Sequence, residues 1–89
     1  MSIDIKLLKE KIASIIRESQ NLTFLTEYDV KIDKMEEEND LIIVEGTYTY
    51  RSLLGTVIES GTFVITFDKQ FNPRKIAIKK STISSRLLR

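Results

Sequence analysis

The hydrophobic period of this chain changes once, between Ser19 and Phe24, and that change restricts the available folds more than any other feature. From Ser2 to Ser19 the residues Ile5, Leu8, Ile12, Ile15 and Ile16 fall within about 100° of one another at 100° per residue, which predicts a helix with one apolar face. Lys6, Lys9, Glu10, Arg17 and Glu18 lie on or beside the other face, with Ile3 and Leu7 off the main stripe. Ser2 is the expected N-cap, Asp4 suits the positive end of the helix dipole, and Ser19-Gln20-Asn21 ends the helix. The polar face mixes both charge signs, which favours packing on a sheet over lying on a membrane surface.

From Phe24 onward the period is two. Phe24, Tyr28, Val30 and Ile32 alternate with Leu25, Glu27, Asp29, Lys31 and Asp33, a strand with one buried and one wet face. Glu36 to Asp40 reads as a turn, and Leu41 to Arg51 as a second strand with Ile42, Val44, Tyr48 and Tyr50 on one side. Ser52 to Gly55 is a short loop. Thr56 to Phe67 follows as a third strand, with Phe63, Ile65 and Phe67 on one face and Ile58 and Val64 on the other. After the Asp68 to Pro73 turn, Arg74 to Ile83 is a fourth strand with Ile76 and Ile78 inward. Short loops join antiparallel neighbours. The expected fold is therefore α+β: one N-terminal helix packed on a four-stranded antiparallel meander in two layers, a single domain over residues 1–89 with 84–89 as a frayed tail. In outline this layout resembles the small cystatin-like architecture, but no motif of the inhibitor family is present, and a shared outline implies no function.

Composition removes several function classes. The 89 residues contain no His and no Cys, so the usual zinc sets, Cys or His nucleophile and base pairs, iron–sulfur ligation and disulfides are excluded. The longest apolar run is Leu41 to Val44, too short to span a membrane. Asp4, Lys6, Lys9 and Glu10 stand where a signal peptide needs an apolar core, so a cytoplasmic location is expected. Gly46, Gly55 and Gly61 are too dispersed for a phosphate loop, and the acidic turn lacks calcium-loop spacing. Glu45 and Glu59 are the only acids within strands two and three, and Glu59 shares parity with Val57 and Phe63 unless a bulge at Gly61 reverses it. A lone carboxylate does not make an active site. No catalytic residue, metal or cofactor is assigned, and Phe24, Tyr28, Tyr48 and Phe63 are expected to fill the helix–sheet interior as core.

A size mismatch turns attention to the sheet. Strands of about twelve residues run roughly 40 Å, whereas a helix of about seventeen runs about 25 Å, so one helix cannot cover them. Twist, bulges at Gly46 and Gly61, or a second molecule must absorb the excess. The far face carries Leu25, Ile43, Ile58, Val64 and Ala77 among Thr47, Thr49, Thr62 and Thr66. Charge is also uneven although the total is only +1. Residues 20–50 carry two cations against eight anions, a net −6, and residues 68–89 carry seven cations against one anion, a net +6. In a meander these segments form opposite edges of the sheet. The function expected is a non-catalytic interaction or structural module, a homodimer or a subunit of a protein assembly, self-associating through the open sheet face or through the charged sheet edges. Its contact centre is Leu25, Ile43, Ile58 and Val64, with Glu27, Asp29, Lys75 and Lys79 as rim charges. The alternative is a nucleic-acid-binding protein using Arg74, Lys75, Lys79, Lys80, Arg86 and Arg89, with Tyr48 and Tyr50 as stacking surfaces.

Overall fold

In the computed structural model, which describes residues 4–22 and 27–81, helix α1 spans Ile5–Gln20. Asp4, rather than a residue of its first turn, is the N-cap: its carboxylate accepts the N–H of Lys6 at 2.8 Å. Ser2 lies outside the described residues. Asn21 takes the left-handed conformation at the C-cap (φ 59°), and the N–H of Leu22 reaches back to the carbonyl of Arg17 at 2.9 Å, which closes the helix end. Leu8, Ile12, Ala13 and Ile16 form the buried stripe, and Ile15 and Leu22 pack against it in part. Ile5, expected in the stripe, overhangs and is exposed together with Leu7.

Four strands follow: β1 Glu27–Glu38, β2 Leu41–Arg51, β3 Val57–Asp68 and β4 Pro73–Lys80, antiparallel in the order β1-β2-β3-β4. This is the α+β meander that the periods predict. Glu36 to Glu38 belong to β1 rather than to a turn, because Asn39 and Asp40 alone close the hairpin, both with positive φ (52° and 66°). A two-residue turn of that kind matches the twist of the strands and lets pairing run to Glu38 opposite Leu41. At the β3–β4 turn the Asp68 carboxylate accepts the N–H groups of Gln70 and Asn72, each at 2.9 Å. Phe71 there holds a positive φ of 63°, which a bulky residue adopts only when packing demands it. Its ring lies 5.6 Å from that of Phe67 and covers the end of the core.

The bulges do not fall at the glycines. They fall at Asp33, Ile58 and Arg74, each an extra residue between consecutive strand pairs. Gly46 and Gly61 instead sit in unbroken register, opposite Phe63 and Tyr48 respectively. A Cβ on Gly46 would overlap the carbonyl of Lys31 and meet the Phe63 ring at 2.8 Å, and one on Gly61 would overlap the carbonyl of Lys79 and meet the Tyr48 hydroxyl at 2.9 Å. Each glycine therefore makes room for an aromatic ring laid across it from the neighbouring strand.

The core lies between the helix stripe and the inner face of the sheet: Val30, Val44, Tyr48, Tyr50, Phe63, Ile65 and Phe67. Tyr50 fastens the two layers. Its hydroxyl donates to the carbonyl of Ala13 in mid-helix, and the Arg17 guanidinium stands 5.7 Å over its ring. The size mismatch is real, since the sixteen-residue helix reaches about 24 Å along strands of about 40 Å. Ile76 shares the inner face with Ile78 but is 43% exposed, because it lies on the edge strand β4, away from the helix; Met35, on β1 beyond the bulge at Asp33, is exposed as well.

Candidate functional site

Register across the sheet places the outer-face residues in rows. Glu36, Ile43, Thr66 and Lys75 form one row from β1 to β4; Lys34, Glu45, Val64 and Ala77 form the next; Lys31, Thr47, Thr62 and Lys79 form a third. Ile43, Val64 and Ala77 thus make a contiguous apolar centre, with Val64 38% exposed. Threonines surround it together with Glu45, which lies directly opposite Val64 on β2. Threonines suit a pleated surface that is neither core nor fully wet. No described helix covers this face.

The site residues expected from the sequence divide by position. Ile43 and Val64 are neighbours across β2 and β3, one row apart. Ile58 stands apart from them, six residues along β3 from Val64 and at a bulge, where it is 48% exposed beside Val57 and the β2–β3 loop. Distance along the strand separates it, since six residues span about 20 Å, and the bulge also breaks the alternation that would place it on the outer face. Glu27 and Asp29 lie at the start of β1, opposite Arg51 and Thr49, whereas Lys75 and Lys79 lie on β4, with two strands between. Leu25, Arg86 and Arg89 lie outside the described residues.

The basic edge is not one surface. Lys75 and Lys79 share the outer face, whereas Lys80 is carried to the inner side and Arg74 sits at a bulge. Arg74 lies 3.9 Å from Asp68, and Lys80 lies 3.9 Å from Glu59. Lys69 bridges Glu37 at 3.2 Å and Asp40 at 3.6 Å, and these carboxylates raise its pKa, the hydrogen bond it donates to Glu37 foremost. Neither tyrosine offers a stacking platform: Tyr48 and Tyr50 are both buried, their rings in edge-to-face contact at 5.9 Å.

Glu59 is the inner-face carboxylate that its parity predicts, and Gly61 does not bulge. Its side chain is only 7% exposed. Tyr48, laid across Gly61, donates its hydroxyl to Glu59 Oε2 at 2.7 Å. Burial pushes the Tyr48 phenol well above its ordinary pKa, and the hydrogen bond to Glu59 and its charge add to the effect. Burial raises Tyr50 to about 12, with the Arg17 guanidinium opposing the rise. The Tyr48–Glu59–Lys80 chain therefore ties β2, β3 and β4 together at one end of the core, each member already engaged. Composition alone does not reveal this contact, but the pairing of Tyr48 with Gly61 carries a signal for it: a glycine opposite an aromatic lets the ring reach the next inward residue.

Two further surfaces escape a reading of hydrophobic period. The β2–β3 loop raises Leu53 and Leu54 into solvent, Leu54 being 95% exposed. An open groove of about 340 Å³ runs beside the first turns of α1, lined by Ile5, Lys6, Lys9, Tyr28, Asp29 and Val30. Among the described residues there is no group of three or more His, Cys, Asp or Glu placed to hold a metal ion, and no helix long and apolar enough to cross a membrane. No protein-family model, curated protein or solved structure matches the chain.

Proposed function

We propose that this protein is a non-catalytic interaction module that self-associates through the outer face of its sheet. The observation that carries this reading is the asymmetry of covering: α1 packs on one side of the sheet, while the other side presents Ile43, Val64 and Ala77 among threonines and Glu45. An apolar centre with a polar surround has the anatomy of an interface core and rim. The charged groups support the same role as rim elements rather than as a nucleic-acid platform. Arg74 and Lys80 are paired with carboxylates, and the aromatic rings that would stack bases are in the core.

The test is molar mass by light scattering after size exclusion, at low and high salt, on protein freed of nucleic acid. A dimer that persists in high salt is expected, because apolar contact is not screened. Ile43→Glu, at the centre of the face, is expected to give a monomer with an unchanged far-UV spectrum. A parent protein that is monomeric at both salts overturns the reading, as does an Ile43→Glu variant that remains fully associated.

A further inference from the structure

Resting on that self-association, we infer that the assembly is a closed two-fold dimer whose axis runs parallel to the strands, so that β1 of each copy lies over β4 of the other. Symmetry and the charge of the two border strands select this arrangement. Two identical sheets stacked face to face about a two-fold in the plane between them have two simple choices. If the axis runs across the strands, β1 lies over β1 and β4 over β4. The outer face of β1 carries Glu27, Asp29, Glu36 and Glu38 against Lys31 and Lys34, whereas that of β4 carries Lys75 and Lys79, so this choice opposes acid to acid and base to base. If the axis runs along the strands, the acidic border meets the basic border twice, once at each side of the interface.

Joining sheets edge to edge meets the same obstacle. Two-fold pairing of β1 with β1, or of β4 with β4, again brings like charges together. Pairing β1 with β4 of another copy is head-to-tail, which leaves a free edge at each end and grows without closing. Face-to-face stacking about the strand direction is the two-fold arrangement that covers the outer face and lays the net-acidic border over the net-basic one on both sides, with Val64 over Glu45 and Ala77 over Lys34 of the second copy.

The rows then specify contacts. Because the axis preserves position along the strands, the row Glu36–Ile43–Thr66–Lys75 lies over its own reverse, placing Glu36 against Lys75 of the second copy and Ile43 against Thr66 of the second copy. Lys75 has no ion pair among the described residues, while Glu36 holds only Lys34 beside it on its own strand, at 3.4 Å and with both side chains exposed. Lys31 faces Lys79 of the second copy, a like pair that Asp29, the next outer-face residue of β1, offsets in part. The face is large enough. Four strands at about 4.8 Å spacing and about 30 Å of paired length give about 600 Å² per copy, or about 1,200 Å² for the pair, within the range of specific interfaces.

Charge reversal tests the arrangement. Glu36→Lys and Lys75→Glu each place like charges at both symmetry-related contacts and should weaken self-association about tenfold. An equimolar mixture of the two variants restores both contacts in the heterodimer, so light scattering should recover the parent dimer mass at concentrations where each variant alone is monomeric. If the parent is a dimer but neither reversal weakens it, or the mixture fails to pair, the arrangement is wrong while self-association stands. A monomeric parent removes both. Growth in mass with concentration beyond the dimer would assign the contact to the sheet edges and overturn the two-fold.

Discussion

On the inner face of β2 and β3, Val44, Tyr48, Phe63 and Ile65 are sealed beneath α1. On the outer face of the same two strands the alternate residues are Ile43, Glu45, Thr47, Thr62, Val64 and Thr66. The backbone ladder is common to both sides, so the difference lies wholly in side chains. The inner residues are large, interlocked across glycines and anchored by hydroxyls to the helix and to Glu59. The outer ones are short, β-branched for the most part, and meet no described element. One face specifies a fold, and the other suits contact with something that the fold does not supply.

The comparison breaks most sharply by truncation. Phe63→Ala removes a ring lying over Gly46 at the centre of the inner face and should cost about 3–5 kcal/mol in urea unfolding. Alkaline pH attacks the same face. Tyr48 and Tyr50 both have raised pKa values in the folded state, so their contribution is intact below the ordinary tyrosine value of about 10 and is lost as the pH rises toward and through the folded values, about 12 for Tyr50. Unfolding followed by circular dichroism should therefore show stability falling above pH 10, and Tyr50→Phe should shallow that fall. Gly61→Ala sharpens the comparison by forcing Tyr48 off its bed and should cost about 1–3 kcal/mol by thermal unfolding. Val64→Thr, on the open face one residue from Phe63, should change monomer stability by less than about 0.5 kcal/mol. A larger loss at low protein concentration would mean that the outer face belongs to the fold.

Much of this architecture is legible in the order of the amino acids. The stripe Leu8, Ile12, Ile16 and the alternations in β2 and β3 identify the elements, their order and their inward residues, Glu59 among them. The misplacements share one cause, which is that local composition says nothing of pairing. A β1–β2 turn over Glu36–Asp40 follows from composition, whereas Asn39 and Asp40 suffice once Glu38 can pair with Leu41. Bulges at Gly46 and Gly61 follow from residue type, whereas a glycine between two strands can instead admit a ring from one of them. The grouping of Ile58 with Ile43 and Val64 follows from parity alone, whereas Ile58 lies six residues along β3 from Val64 and at a bulge.

By itself the sequence determined one helix, four antiparallel strands, which side of each central strand is buried, and the acidic and basic borders. These follow from the direction of successive Cβ atoms and from chain order, both local properties. Only the tertiary structure decided where register slips, which carboxylate meets Tyr48, why Phe71 turns inward, and that Ile76 escapes the helix. Those outcomes depend on pairing between residues distant in the chain and on the reach of one short helix over longer strands, and neither distance is written in any single segment.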